Sequence, residues 1–289
     1  MVSLYDEVRA ALRGSNFRPR KSRGQNFLIH ERVIDGIINL LEFEPSDSVL
    51  EIGPGLGFLT RRLLERAQQV WAIEVDRFLA EHLRRSAWGV DPKLHLIQGD
   101  FLQFAPPEFL PKMPVKLAGN LPYSIATAVL FRIFEIREQF SLLVLMLQKE
   151  VADRIIAKPG TKEFGALSVW CQIHGRVTDK LPVSPEAFFP RPKVRSMVLK
   201  FQLFPEPRIA PGDFPALKNL LRAAFGQRRK TLGNALQAYF GQPRREIESW
   251  LRSEKIEPAR RGETLSVDEF IALAVAPRRC AFPPAQTDC

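Results

Sequence analysis

The chain has 289 residues, 45% of them hydrophobic and 26% charged, an ordinary globular composition that excludes wholesale disorder and a fibrous repeat. Forty-two Lys and Arg against 32 Asp and Glu leave a formal charge of +10, which favours a polyanionic partner over a small metabolite alone. Cys171, Cys280 and Cys289 are widely spaced, with no CxxC and no histidine at ligand spacing, so neither a disulfide framework nor a metal site is expected. With no long apolar core near its start and no uncharged apolar run of about 18 residues, the chain is expected to be soluble, cytoplasmic and unconnected to a membrane.

Residues 1–30 read as a basic arm: Arg9, Arg13, Arg18, Arg20, Lys21 and Arg23 follow one another without an acid between them. Such a run is either a solvated arm or, in a chain of this charge, a contact for the polyanion. Residues 32–41 then place Val33, Ile34, Ile37, Ile38 and Leu41 at helical spacing.

Short β-rich runs follow at 49–52, 70–74, 94–98 and 115–118, with helical patterns at 59–67 and 77–88 in the first two gaps. Strand, helix, strand in series predicts a parallel sheet with covering helices. The run 141–147 is almost wholly apolar, as a strand buried on both faces should be, and 148–157 reads as a helix. Residues 169–173 and 197–201 are expected to pair as strands across a Pro-rich connection, giving the sheet an antiparallel member near its end. Prolines cluster at 205–215 and the strand patterns stop, so a domain boundary is placed there, with 31–205 on one side and 206–289 on the other. Helical spacing at 214–226, 230–240, 244–252 and 266–276 makes the second part a small helical domain. The fold class is therefore α/β, a Rossmann-like, mostly parallel sheet plus a helical domain.

VLEIGPGLGFLT (49–60) runs from a strand through Gly53, Gly55 and Gly57 into a helix, and glycines allow a ligand close to the backbone at the carboxyl edge of a parallel sheet. Glu74 ends the next strand, where a carboxylate accepts both ribose hydroxyls of a nucleoside. A Rossmann dehydrogenase is the rival reading. Its fingerprint is GxGxxG, whereas this turn is ExGxGxG with Pro54 inside it, which suits a cofactor without pyrophosphate such as S-adenosylmethionine. Asp100 follows the third strand and falls at the same edge, near the nucleoside's adenine.

After the fourth strand comes GNLPYS (119–124). The exocyclic amine of adenine is a poor nucleophile because its lone pair is delocalised into the ring. The amide oxygen of Asn120 and the main-chain carbonyl of Leu121 would accept its two N–H groups and draw it toward tetrahedral geometry, with Pro122 fixing the turn and Tyr123 stacking on the base. No general base is required, since the alkylated amine sheds its proton readily.

These motifs, with GQNFL (24–28), MLQKEV (146–151), AFFPRPKV (187–194) and AFGQRRKT (224–231), resemble those of the ribosomal RNA adenine dimethyltransferase family, in order and over nearly the whole chain. The resemblance implies a class I methyltransferase that uses S-adenosylmethionine to place two methyl groups on N6 of each of two adjacent adenosines in a hairpin near the 3′ end of small-subunit ribosomal RNA. It implies a substrate presented by the immature 30S subunit and an enzyme acting as a monomer. By the same resemblance Gln25, Asn26 and Leu28 close over the cofactor, Gly53 and Gly55 pass its amino-acid portion, Glu74 holds the ribose and Asp100 the adenine amine. Asn120 and Tyr123 face the target base, and Phe188 stacks on its other side while Phe189 packs in the core. Arg228, Arg229 and Lys230 stand as phosphate contacts beside Arg20, Lys21 and Arg23. Two alternatives stay open: the related large-subunit enzyme of macrolide resistance, and a ribosome-assembly factor whose methylation is secondary.

Overall fold

The computed structural model describes residues 3–13, 25–104, 114–122 and 125–276. Arg20, Lys21, Arg23 and Tyr123 lie outside the described residues. The chain divides into two compact units, one of residues 1–152 and 177–203, the other of residues 153–176 and 204–289.

Within the stretch expected as a basic arm the structure places a helix, α1 (Leu4–Leu12), while residues 14–24 lie outside the described residues. Ser3 caps it by accepting the Asp6 N–H, and Leu4 and Val8, one turn apart, are buried in the core. A short strand, β1 (Phe27–Leu28), leads into α2 (Glu31–Leu41), which buries Ile34, Ile37, Ile38 and Leu41 as its spacing predicts.

Then come β2 (Ser48–Ile52), α3 (Phe58–Leu64), β3 (Gln69–Glu74), α4 (Arg77–Arg85), β4 (Leu94–Gln98), β5 (Val115–Asn120), α5 (Ala126–Glu135) and β6 (Phe140–Gln148). Helices α6 (Lys149–Ile156) and α7 (Ala166–His174) precede β7 (Gly175–Val183), β8 (Phe188–Phe189) and β9 (Ser196–Leu203). The seven-stranded sheet has the order β4-β3-β2-β5-β6-β9-β7. Its β4, β3, β2, β5 and β6 are mutually parallel, and β9 runs antiparallel to β6. Since the chain passes from β2 outward to β4 and then returns to the other flank of β2 with β5, the order reverses between β2 and β5. That reversal opens a crevice at their carboxyl ends.

The expected strand at 169–173 is instead the centre of α7, and the neighbour of β9 is β7. Val169, Trp170, Cys171 and Ile173 are all at most 1% exposed, and this short run of buried apolar residues is not told from a buried strand by periodicity. It belongs to the helical unit, which therefore takes in residues 153–176 as well as the segment after the proline cluster.

In that unit α8 (Phe214–Gly226), α9 (Leu232–Phe240), α10 (Arg244–Ser253) and α11 (Val267–Val275) bury Leu217, Leu221, Leu236, Ile247, Leu251 and Phe270. Trp170 meets Phe214 edge-on at 5.3 Å, and Phe164 meets Phe225 at 6.2 Å.

Candidate active site

The carboxyl ends of β2, β3, β4 and β5 border a cavity of about 290 Å³, the scale of a small-molecule site. After β2 the chain turns through Gly53 and Gly55, with φ of +67° and +62°. Side chains other than glycine rarely adopt this left-handed region. A Cβ on Gly55 would also stand 3.2 Å from the ring of Phe27, so the turn and the N-terminal segment meet at a place where only a hydrogen fits comfortably.

Glu74 ends β3 and is 4% exposed. Its Oε2 accepts the Gly55 N–H at 3.1 Å and its Oε1 accepts the Asp76 N–H at 2.8 Å, which fixes the carboxylate at the cavity wall. A carboxylate oxygen accepts more than one hydrogen bond, so a ligand hydroxyl can be taken there as well. Asp76 caps α4 by accepting from Phe78 and Leu79, and its other oxygen accepts Gln25 Nε2 at 3.3 Å. Asp100 follows β4, where its Oδ1 holds the Leu102 N–H at 2.9 Å. Asn120 ends β5, and its Nδ2 donates to the main-chain carbonyl of Asn26 at 2.9 Å. The Leu121 N–H donates to Met146 across to β6, pinning the turn after β5 to the sheet.

The structure thus brings Gln25, Asn26, Leu28, Gly53, Gly55, Glu74, Asp100, Asn120 and Pro122 to one cavity wall. Leu121 lies beside it with its side chain buried at 1% exposure. Among the described residues lining the cavity, Glu51, Glu74 and Asp100 are acidic and none is Lys, Arg or His. This lining fits S-adenosylmethionine, a nucleoside whose sulfonium and ammonium are positively charged.

Sequence reasoning passes over Val75 and Phe101, which add apolar lining, and Asp76, which holds Gln25. The signal for Val75 is its place directly after Glu74, an apolar residue at a strand end that is 52% exposed. Glu51, within the motif, is a buried carboxyl; burial pushes its pKa up from 4.5 to about 8, a Thr60 hydrogen bond works in the opposite direction, and the charge of Glu74 adds to the rise.

Two of the expected site residues also have partners within the protein. Phe188 is 3% exposed and belongs to the core: in the two-stranded pairing of β1 with β8 it stands opposite Leu28, while Phe189 stands opposite Phe27, is half-buried and meets Tyr5 edge-on at 5.6 Å. Alternation along the strand sends one ring inward and the next outward, so the ring nearer solvent is Phe189. Arg228 donates to the carbonyls of Lys162 and Phe164 at 2.8 and 2.9 Å and pairs with Glu263, while its side chain stays 44% exposed. Arg229 and Lys230 stay exposed, and Lys230 borders a groove with Asn234, Gln237 and Gln242 along α9.

The family model for ribosomal RNA adenine dimethylase matches residues 16–275. The chain is 44% identical over 269 residues to the Ribosomal RNA small subunit methyltransferase A of Geobacter metallireducens, covering 92% of this chain and 98% of that one. It is similar to the solved dimethyladenosine transferase from Plasmodium falciparum, with 27% identity, a TM-score of 0.72 and coverage of 88% of this chain and 98% of that chain. It is also similar to the 23S rRNA methyltransferase ErmE, with 25% identity, a TM-score of 0.66 and coverage of 86% and 98%. The matched motifs, the sheet order and these likenesses agree, and the chain belongs to the ribosomal RNA adenine dimethylase family.

Proposed function

We propose that this chain, a ribosomal RNA adenine dimethyltransferase by family, dimethylates N6 of two adjacent adenosines near the 3′ end of small-subunit ribosomal RNA, acting in the cytoplasm as a monomer on the immature 30S subunit. The observation that carries the reading is the Asn120 amide at the rim of an acid-lined cavity, with its nitrogen already engaged by Asn26. The name of the Geobacter relative supports the small subunit as the target.

Glu74 would hold the ribose of S-adenosylmethionine, Asp100 its adenine amine, and the Gly53–Gly55 turn its amino-acid portion. When bound, that cofactor supplies an electrophilic methyl group. With its nitrogen on Asn26, Asn120 offers Oδ1 as an acceptor, and the Leu121 carbonyl follows it in the turn. Together they would take the two N–H groups of the target amine and free its lone pair, and they favour an amino group over a carbonyl oxygen at that place. Tyr123, next in the turn, is assigned to stacking on the base from its motif. Arg229 and Lys230 would meet phosphate.

The test is to incubate the protein with methyl-labelled S-adenosylmethionine and undermethylated small subunits and to map the modified nucleotides. Label on two adjacent adenosines of the small-subunit RNA supports the reading. Small subunits that take up no label, or that carry it anywhere but on two adjacent adenosines, overturn it.

A further inference from the structure

Asparagine is nearly symmetric in shape, so which end of its amide faces a substrate is decided by the hydrogen bonds around it. For Asn120 that partner comes from far away in sequence. Its Nδ2 donates at 2.9 Å to a carbonyl 94 residues earlier, on Asn26. With the nitrogen committed there, Oδ1 is the end left for a target amine. In the flipped orientation an NH₂ group would face the amine, donor against donor, and the base would be repelled instead of activated.

Asn26 sits in a segment that is docked at several points. Gln25 donates to Asp76 at 3.3 Å, β1 pairs with β8, the Ile29 N–H donates to the Ala187 carbonyl at 2.8 Å, and the Phe27 ring lies against Gly55. Gln25, Asn26 and Leu28 also line the cavity. One short stretch of chain therefore touches the cofactor space on one side and holds the base-reading amide on the other.

We infer that Asn26 is a positioning residue for methyl transfer: its main-chain carbonyl selects the orientation of Asn120, so the amine acceptor is assembled only while residues 25–29 are docked over the cavity. A ligand that fills the cavity holds this segment down, and the site reads a base correctly only once the cofactor is in place. The inference rests on the role given to Asn120 above.

Hydrogen exchange of the full-length chain, ¹⁵N-labelled at asparagine and the main chain, tests it with no RNA present. The Asn120 side-chain NH₂ and the Ile29 N–H should open with the same equilibrium constant, and saturating S-adenosylhomocysteine should slow both by the same factor, about tenfold or more. Exchange of the Asn120 amide at the rate of a solvent-exposed amide while Ile29 is protected overturns the inference, as does slowing of Ile29 alone. Asn120→Asp supplies a second reading. It keeps two acceptor oxygens, removes the donor and sets a carboxylate against the Asn26 carbonyl. Ile29 should then exchange at least about tenfold faster and kcat should fall more than KM for RNA rises. Unchanged Ile29 exchange in that variant sinks the inference. Because exchange is read without RNA, failure of the substrate assignment leaves it standing, and uncoupled exchange in an enzyme that still methylates the small subunit removes the inference alone.

Discussion

Thr60 Oγ1 donates to Glu51 Oε2 at 2.6 Å, and the bond is shut away from water, with Glu51 2% exposed and Thr60 0%. A carboxyl whose pKa is raised on folding from 4.5 to about 8 keeps its proton in the native state after the unfolded chain has lost it. The native state then binds more protons than the unfolded one, so stability attributable to Glu51 falls as pH rises through that window and is lowest above it. Urea unfolding at several pH values between 4.5 and about 8 should show wild type losing stability relative to Glu51→Gln as pH rises. Parallel curves for the two proteins would refute the assignment.

Asn120→Ala should abolish methyl transfer while weakening cofactor binding less. Removing a transition-state acceptor costs roughly 3 to 4 kcal/mol, or about two to three orders of magnitude in rate. Single-turnover rates at saturating cofactor check this, and a variant within about threefold of wild type would end the proposed role.

The basic triplet after α8 should separate by experiment into one structural and two RNA-facing residues. Arg228→Ala strips the donor from two carbonyls and should cost about 1 to 3 kcal/mol of stability, read as a lower melting temperature, with the salt dependence of RNA binding unchanged. Replacing Arg229 and Lys230 together should leave the melt nearly unmoved and flatten the log–log salt slope by roughly 0.7 to 0.9 for each phosphate no longer neutralised. A double variant with the wild-type slope would mean that this face is only solvated.

Phe188→Ala should behave as a core truncation. Its ring is 3% exposed and packed with the β1 segment, so its loss should cost about 3 to 5 kcal/mol of stability. Phe189→Ala, at the outward position of the same strand, should destabilise much less. Denaturant titrations of both variants decide the order, and equal losses would contradict the alternation along β8.

Much of this fold is legible in the sequence because its signals are local. The apolar run from Phe140 to Gln148 declares a central strand, and Ile34, Ile37, Ile38 and Leu41 declare α2 by their spacing. The cavity residues are legible for a related reason, since Gly53, Glu74, Asp100 and Asn120 each sit at or just past the end of a recognisable strand. What stays hidden depends on the environment. Residues 169–173 look like a strand because four of the five are buried apolar side chains in a short run. That Arg228 also holds the carbonyls of Lys162 and Phe164 is set by residues more than 60 positions earlier. Which of Phe188 and Phe189 turns inward is set by pairing with β1, far earlier in the chain. α5 is a different case: Ala126, Val129, Leu130, Ile133 and Phe134 stand at helical spacing, a signal present in the sequence and left unused beside the turn that precedes it.

The helical unit is made of two stretches, 153–176 and 204–289, and strands β7 and β9 of the sheet fall between them in sequence. On the ribosome the first stretch leaves the exit tunnel well before the second. Trp170 and Phe164 must then wait for Phe214 and Phe225 to be translated before they gain their aromatic partners. The nascent chain carries the apolar residues of α7 uncovered while its sheet is still missing two strands. It also means that a stop codon near residue 204 cannot yield a clean catalytic fragment, because residues 153–176 would be left behind without the helices that bury them.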